Sequence, residues 1–422
     1  ADFFLLGYLK HRVYTHKPTS LLELKARIRE EMSAISRDKI KSRGHDCTTQ
    51  FTTCVAQWLP CRTANRRVPG SIPGETVNDE FKFLLSVWVF VFLCQYYLIL
   101  LQLFQLPLIK LAQEAATNEI KVTASTWSPP IWMKTNERIT GFGQLKKEFY
   151  QSYADYHLRF IEEYKKAEVD IWAITTTNEP INGMIPIVQF NSLGWFFYFQ
   201  GRWVANNLGP TIRNSRFNKT LIIAVDDQRY LLPVYLRGME QGDPKSIDYI
   251  DGIAVHYYGN FIPPQILSMI QARYPNKILL STEACEGAMP WDLNKVEVGS
   301  WARARRYMRS ILEDLNNYVV GWIDWNLCLD ETGGPNWADN FVDAPVLVYP
   351  ERDEFIKQPM FYAMGHFSKF IPRDSRRIRV ARRSLVTLPN IGVLIPNGNI
   401  VIATLDYHRC PPTYNRCWRT TC

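Results

Sequence analysis

Metal-like spacing is missing from this sequence. Its nine cysteines are scattered and its seven histidines do not cluster, which excludes a structural zinc site and leaves no metal or other cofactor to expect. Cys47, Cys54 and Cys61 lie near the start and Cys410, Cys417 and Cys422 at the end, so disulfides fit the spacing but no pairing follows from it. A basic core is missing too. The net charge is +8, but residues 1–80 hold 13 basic against 9 acidic side chains and residues 372–422 hold 9 against 2. The stretch between them has 27 basic and 30 acidic side chains, so the basic excess is confined to the flanks and no nucleic-acid partner is expected. No secretory leader is recognisable, because the chain opens at Ala1 with charges at Asp2 and Lys10. One sequon, Asn218-Lys219-Thr220, is compatible with a secretory route.

Charge is absent altogether from Phe83 to Ile109, a run longer than the roughly 20 residues needed to cross a bilayer. Hydropathy therefore predicts a transmembrane helix there. The rival expectation is a mis-joined coding segment, since Leu106-Pro107-Leu108-Ile109-Lys110 passes straight into a regular strand and helix pattern. Before this run, Leu21, Leu24 and Ile28 fall at helical spacing among charges and predict an amphipathic helix. The division expected is a leader of residues 1–105, poorly ordered or helical, a partial barrel over 106–365 and a partial β-sandwich over 366–422.

From residue 106 the pattern is periodic. Residues 120–125, 170–177, 220–226, 251–257, 277–283 and 319–325 are rich in Ile, Val and Thr and predict strands. Helical stripes separate them: Phe149, Tyr153, Tyr156, Phe160 and Tyr164 share one face, as do Trp301, Ala304, Met308, Ile311 and Leu315. Aromatic stripes at this spacing are read as helix faces packed on a barrel wall. Six βα units in series imply a parallel sheet of the (β/α)8 barrel class, an α/β fold, with two strands fewer than a closed barrel. After Tyr362 the pattern changes. Residues 376–380, 392–395 and 400–403, with Asn397-Gly398 between the last two, predict antiparallel strands and a hairpin.

Two of the barrel strands end on glutamate. Trp172-Ala173-Ile174-Thr175-Thr176-Thr177-Asn178-Glu179 stops at Pro180, and Lys277-Ile278-Leu279-Leu280-Ser281-Thr282 stops at Glu283. Proline cannot continue a ladder, so Glu179 belongs at a strand's C-terminal edge, where barrel enzymes build their sites. Two such carboxylates about 5 to 5.5 Å apart are what a retaining glycosidase needs, one to protonate the leaving oxygen and one to attack the anomeric carbon.

The blocks around these glutamates resemble a known family. Trp127-Ser128-Pro129-Pro130, Thr177-Asn178-Glu179-Pro180, Asp226-Asp227-Gln228-Arg229, Gly252-Ile253-Ala254-Val255-His256, Ser281-Thr282-Glu283-Ala284-Cys285, Gly321-Trp322-Ile323-Asp324-Trp325-Asn326-Leu327 and Gly333-Gly334-Pro335-Asn336-Trp337 occur in order. Residues 106 to about 405 thereby resemble the glucosylceramidases, acid β-glucosidases of glycoside hydrolase family 30. The resemblance implies a retaining hydrolase cleaving glucosylceramide to glucose and ceramide, with Glu179 as general acid/base and Glu283 as nucleophile. It implies that Asn178 bonds the sugar 2-hydroxyl, that Trp127 and Trp325 offer apolar faces to glucose, and that Phe190, Gln228, His256, Tyr258 and Asn340 line the pocket. It further implies β-glucoside substrates, an anionic membrane surface, a saposin-like activator and a lysosomal setting. Physically, Glu179 must keep its proton until the bond breaks, which a dry site and a nearby anion favour.

The sequence departs from that family in two respects. The family's first barrel strands and part of its sandwich are not recognisable in residues 1–105, and Val188 stands where its members often carry tyrosine. Residues 7–31 instead resemble the C-terminal end of mariner-type transposases, and residues 47–75 resemble translated repetitive DNA. The expectation is a partial, and on one reading inactive, copy joined to repeat-derived sequence. The alternatives are a family 30 glycosidase of xylan or glucan and an inactive membrane-tethered remnant.

Overall fold

In the computed structural model, residues 88–90, 97–336, 338–380 and 388–406 are described, with the backbone alone for 88–90 and 97–104. The amphipathic stretch at 21–31, the two repeat-like segments, Trp337 and the six flanking cysteines lie outside the described residues.

The six expected strands are present as β2 (Val122–Ser125), β3 (Ile171–Thr175), β4 (Leu221–Gln228), β5 (Gly252–His256), β6 (Ile278–Glu283) and β7 (Val319–Trp322). A seventh, β1 (Trp88–Phe90), pairs parallel with β2, Val89 opposite Ala124. The sheet runs β1-β2-β3-β4-β5-β6-β7, so each strand neighbours its sequence neighbour. That order, all parallel, is the order of a barrel wall. Among the described residues no strand bridges β7 and β1, so the sheet is an open arc of a barrel.

The uncharged run 83–109 does not make one spanning helix. Part of it is β1, whose Trp-Val-Phe suits a pleated ladder, and part is helix α1 (Tyr97–Ala115). Buried Leu106 and Ile109 of α1 face the protein core rather than lipid, and the Tyr164 hydroxyl donates to Gln105 Oε1 at 3.3 Å. No helix among the described residues is long and apolar enough to cross a membrane.

The aromatic stripe of α2 (Tyr150–Lys166) buries Tyr153, Phe160 and Tyr164. They join the main core with α3 (Phe197–Trp203), whose Trp203 is fully buried and donates its Nε1 hydrogen to the Tyr150 carbonyl at 2.9 Å. A π turn at Val204–Leu208 continues α3 into α4 (Gly209–Arg213). Next come α5 (Leu232–Gly242), α6 (Lys245–Tyr249) and α7 (Gln265–Arg273). The inner strands β4, β5 and β6 are buried almost throughout, which explains their near-continuous apolar runs.

The second stripe belongs to α8 (Trp301–Asn316), capped where Ser300 Oγ accepts from the Arg303 amide. Its Ala304, Met308 and Ile311 were expected on the barrel wall, and Trp322 of β7 and Tyr257 do pack against their cluster, but so do Met360, Ala363 and Phe367 of α9 (Pro359–Ser368) and Ile391 and Val393. Helix α8 therefore bridges the barrel to the C-terminal sheet. That sheet is antiparallel, β11 (Arg376–Ile378), β12 (Asn390–Leu394) and β13 (Ile400–Thr404), and its hairpin turns at Gly398 with φ +89°. It fits a partial sandwich. A three-stranded sheet of β8 (Cys328–Asp330), β9 (Val346–Tyr349) and β10 (Glu354–Lys357) was not expected from the sequence. Its strands are only three or four residues long, too short to show a period.

Helices α3 and α5 cross at close range because two glycines lack side chains. A Cβ on Gly201 would lie 2.3 Å from the Met239 carbonyl oxygen, and one on Gly242 would lie 2.1 Å from that of Tyr198. Alanine favours a helix over glycine by about 1 kcal/mol, but backbone cannot yield to it here and overpacking costs roughly 1 to 3 kcal/mol. Gly201→Ala is therefore expected to lower the midpoint of thermal unfolding; a midpoint unchanged or raised would contradict this crossing.

Candidate active site

Both strand-end glutamates reach the same point at the C-terminal edge of the sheet. Glu179 follows β3 with φ +37°, in the left-handed region that a non-glycine residue seldom enters, and it precedes a proline, which normally forces extended backbone. Two ladder-like bonds over-determine this turn: the Asn178 amide donates to the Thr126 carbonyl and the Glu179 amide to that of Asp226, each at 2.9 Å. Glu283 closes β6, opposite His256 in the β5 ladder. One oxygen of each glutamate and a ring nitrogen of His256 all lie within 4.8 Å of one another.

Three donors fix Glu179. Gln228 Nε2 donates to its Oε1 at 2.8 Å, His256 Nδ1 meets the same oxygen at 2.9 Å, and the Asn182 amide donates to Oε2. Glu283 has one partner at its Oε1, the Tyr258 hydroxyl at 2.9 Å. Its Oε2 is buried without a hydrogen-bond partner, as is Asn178 Oδ1.

His256 ties the two glutamates to a third carboxylate. Its Nε2 lies 3.1 Å from Asp226 Oδ1, so each ring nitrogen faces an acid. Burial alone would push the imidazole down, but Glu283, Asp226 and Glu179 outweigh it and hold its pKa well above the ordinary value. With both ring nitrogens engaged, His256 has none left for a metal ion, although its grouping with Glu179 and Glu283 has suitable ligand types.

Asp226 is fully buried, which alone would raise it, yet the His256 hydrogen bond and charge and the hydroxyls of Thr282 and Ser125, both at 2.7 Å, hold its carboxyl below the usual range. It points inward because β4 carries a bulge between Val225 and Asp227, with φ +75° at Val225 and +52° at Asp226. Bulges of this kind re-aim side chains beside active sites. Asp227 accepts from the Ile181 amide at 3.3 Å and the Gln228 amide at 2.8 Å, and burial and then Glu179 push it up to about 7. Burial raises Glu283 to about 8, with His256 opposing and Glu179 adding to the rise. Three donors thus hold the Glu179 carboxyl and one holds that of Glu283.

An aromatic wall stands beside the carboxylates. Trp127 and Trp325 stack at 5.8 Å between ring centroids with planes 17° apart, and Phe190 meets Trp127 edge-on at 5.8 Å. Trp325 also packs near Cys285 and Tyr258. Lys134 holds the Phe190 loop: fully buried, it donates through Nζ to the carbonyls of Ile139 at 3.0 Å and Ser192 at 2.6 Å. Of the residues expected from the sequence, Gln228, His256 and Tyr258 bond the glutamates directly, Trp127, Phe190 and Trp325 form the wall, and Asn178 adjoins Glu179. Asn340 joins neither group by a described contact; its backbone pairs with the Asn336 side chain in the loop before β9. Sequence reasoning missed Asp226, Asn182 and Lys134. Asp226 stood in one of the family-like blocks, but only the bulge shows which of two adjacent aspartates meets His256.

Two glutamates whose nearest oxygens lie within 4.8 Å of each other, at the C-terminal edge of a parallel barrel sheet, make the paired-carboxylate arrangement of glycoside hydrolases. The description "Glycosyl hydrolase family 30 TIM-barrel domain" matches residues 101–371, and the chain belongs to that family. It is 39% identical over 308 residues to the lysosomal acid glucosylceramidase of Mus musculus, covering 72% of this chain and 59% of that protein. It is 40% identical over 298 residues to putative glucosylceramidase 3 of Caenorhabditis elegans, covering 70% and 56%. The chain thus spans under two thirds of the length of these relatives. Among solved structures, SrfJ from Salmonella typhimurium superposes with a TM-score of 0.65 at 24% identity, over 76% of this chain and 71% of that one, a likeness of fold.

The buried charges set a pH dependence of stability. Glu283, Asp227 and His256 have folded values above their ordinary ones. Each therefore contributes stability that is complete below its ordinary value and is lost as pH rises through its folded value. Asp226, shifted down, contributes stability above its ordinary value that is lost as pH falls through the folded one. The midpoint of thermal unfolding is expected to fall from about pH 5 to about pH 8, and Glu283→Gln to flatten part of that fall. A midpoint that climbs over this range in the wild type would refute the assignment.

Proposed function

We propose that this chain is a retaining β-glucosidase that hydrolyses glucosylceramide to glucose and ceramide, with Glu179 as general acid/base and Glu283 as nucleophile. The observation that carries the reading is the glutamate pair itself, one carboxylate held by three donors and the other offering an unpartnered oxygen, Oε2. Glu283 Oε2 attacks the anomeric carbon as the bond to the ceramide oxygen breaks, and that oxygen takes the proton of Glu179. Water then attacks the glucosyl-enzyme, giving a proton back to Glu179 while the sugar to Glu283 bond breaks and glucose leaves. Glu179 must carry the proton, and Glu283 must be ionised, when the bond breaks. A leaving oxygen beside Glu179 gives that proton an acceptor, and positive charge developing at the anomeric carbon favours an ionised Glu283.

Asn178, with a buried orphan oxygen, accepts the sugar 2-hydroxyl hydrogen, and Trp127, Phe190 and Trp325 wall the pocket; Asn340 is assigned to it by family alone. Likeness supports the substrate class: the relatives named glucosylceramidases stand at 39% and 40% identity, whereas the endo-1,6-β-D-glucanase of Neurospora crassa stands at 26%. A lysosomal setting rests on the name of the mouse relative, and a saposin-like activator and an anionic membrane surface rest on the family.

Purified protein is expected to release ceramide from fluorescent glucosylceramide at acid pH and to spare a β-1,6-linked glucan. Glu283→Gln should abolish turnover. Glu179→Gln should lower kcat by roughly 100- to 10,000-fold on glucosylceramide and far less on an aryl glucoside whose leaving group needs no proton. A folded wild-type protein without turnover, or faster cleavage of the glucan, would overturn the reading.

A further inference from the structure

Beside the catalytic pair lies a charged strut that the proposed reaction does not use. Glu286, three residues beyond Glu283, is almost fully buried, its side chain only 6% exposed. Arg306 of α8 binds it with a fork, Nε at 2.9 Å from Oε1 and Nη2 at 2.5 Å from Oε2, and the Tyr257 hydroxyl donates to the same Oε1 at 2.6 Å. The Glu286 loop is fixed from behind as well: the Asp343 amide donates to the Glu286 carbonyl at 2.8 Å, and Gly287 holds φ +76° with no room for a Cβ against the Lys295 carbonyl at 2.2 Å. Tyr257 is the immediate neighbour of Tyr258, whose hydroxyl is the one hydrogen-bond donor to Glu283 described here.

We propose that Arg306, Glu286 and Tyr257 are positioning residues that clamp the loop after β5 to the loop after β6 and so hold the Tyr258 hydroxyl on the Glu283 carboxylate. The inference rests on the glycosidase reading for its kinetic consequence but not for its physical one. A forked guanidinium on a buried carboxylate fixes geometry better than a single contact. The two loops have no ladder between them beyond His256 and Glu283, and the strut spans them just past that point. Because Tyr258 donates to Glu283, it favours the anion; loosening it makes Glu283 harder to ionise. The other groups facing Glu283 are His256, Glu179, Asp226 and Cys285, and those near Glu286 are Cys285, Asp324, Asp343 and Tyr307. None of them is substituted when the strut is cut at Arg306, which is half exposed on α8.

The test is Arg306→Met, with Tyr257→Phe as a second variant that removes only a hydroxyl, and Arg306→Lys as the charge-conserving rescue. In the acid limb of the kcat/KM profile for an aryl β-glucoside, both cutting variants should shift the midpoint up by roughly 0.5 to 1 pH unit, about the worth of one hydrogen bond. KM should change little and Arg306→Lys should return part of the shift. The alkaline end of the fall in thermal midpoint with pH should move up in the same variants, because a higher folded value for Glu283 prolongs the loss. In a Tyr258→Phe background Arg306→Met should add no shift to either profile. Profiles that stay in place, or a shift that persists without the Tyr258 hydroxyl, would overturn the proposal. Absence of turnover in the wild type would count against the glycosidase reading alone, since the melting profile reads the strut without substrate.

Discussion

The candidate site depends on the charge of one imidazole. Glu179, Glu283, Asp226 and Asp227 are all buried within a few residues of the sheet edge, and burying an unpaired carboxylate costs several kcal/mol. His256 contacts Glu179 with one nitrogen and Asp226 with the other, so a single cation offsets the two carboxylates it touches. The remaining excess is relieved by protons on the carboxyls that burial raises, Glu283 and Asp227. A site arranged this way sets two carboxyls of unequal surroundings at close approach, which is what acid/base chemistry at a glycosidic bond draws on.

Backbone strain holds the arrangement in place. Glu179, Val225 and Asp226 all have positive φ, and they lie side by side because the Glu179 amide donates to the Asp226 carbonyl. Conformations of this kind cost about 1 to 3 kcal/mol each and persist where surrounding structure over-determines them. The surroundings do so here through the hydroxyls of Ser125 and Thr282, contributed by β2 and β6 on either side of β4. Three strands therefore converge on Asp226, and any loosening of the sheet arc is felt at the glutamates.

Much of this was legible in the amino-acid order. Runs of Ile, Val and Thr placed six parallel strands, and a glutamate against a proline at the end of one of them pointed to the sheet edge. What escaped was set by long-range pairing. The uncharged run 83–109 carries a membrane-like hydropathy, but Trp88–Phe90 finds a ladder partner in β2 and α1 finds a core to bury Leu106 and Ile109, which hydropathy does not register. The stripe of α8 told its buried face and the barrel wall beneath it, but not that α9 and the C-terminal sheet share that face. At the site, the side-chain types of Gln228, His256 and Tyr258 sufficed to single them out, whereas Asp226 needed the bulge and Asn182 needed the turn at Glu179.

The most direct measurement is covalent trapping. A 2-deoxy-2-fluoro-β-glucoside with an activated leaving group forms the glycosyl-enzyme but slows its hydrolysis, because the 2-hydroxyl contact that stabilises the transition state is lost. Peptide mapping of the trapped protein by mass spectrometry should find one fluoroglucosyl group, on Glu283, and none after Glu283→Gln. A label on Glu179, or equal labelling of the two glutamates, would contradict the division of roles that the donors around His256 imply.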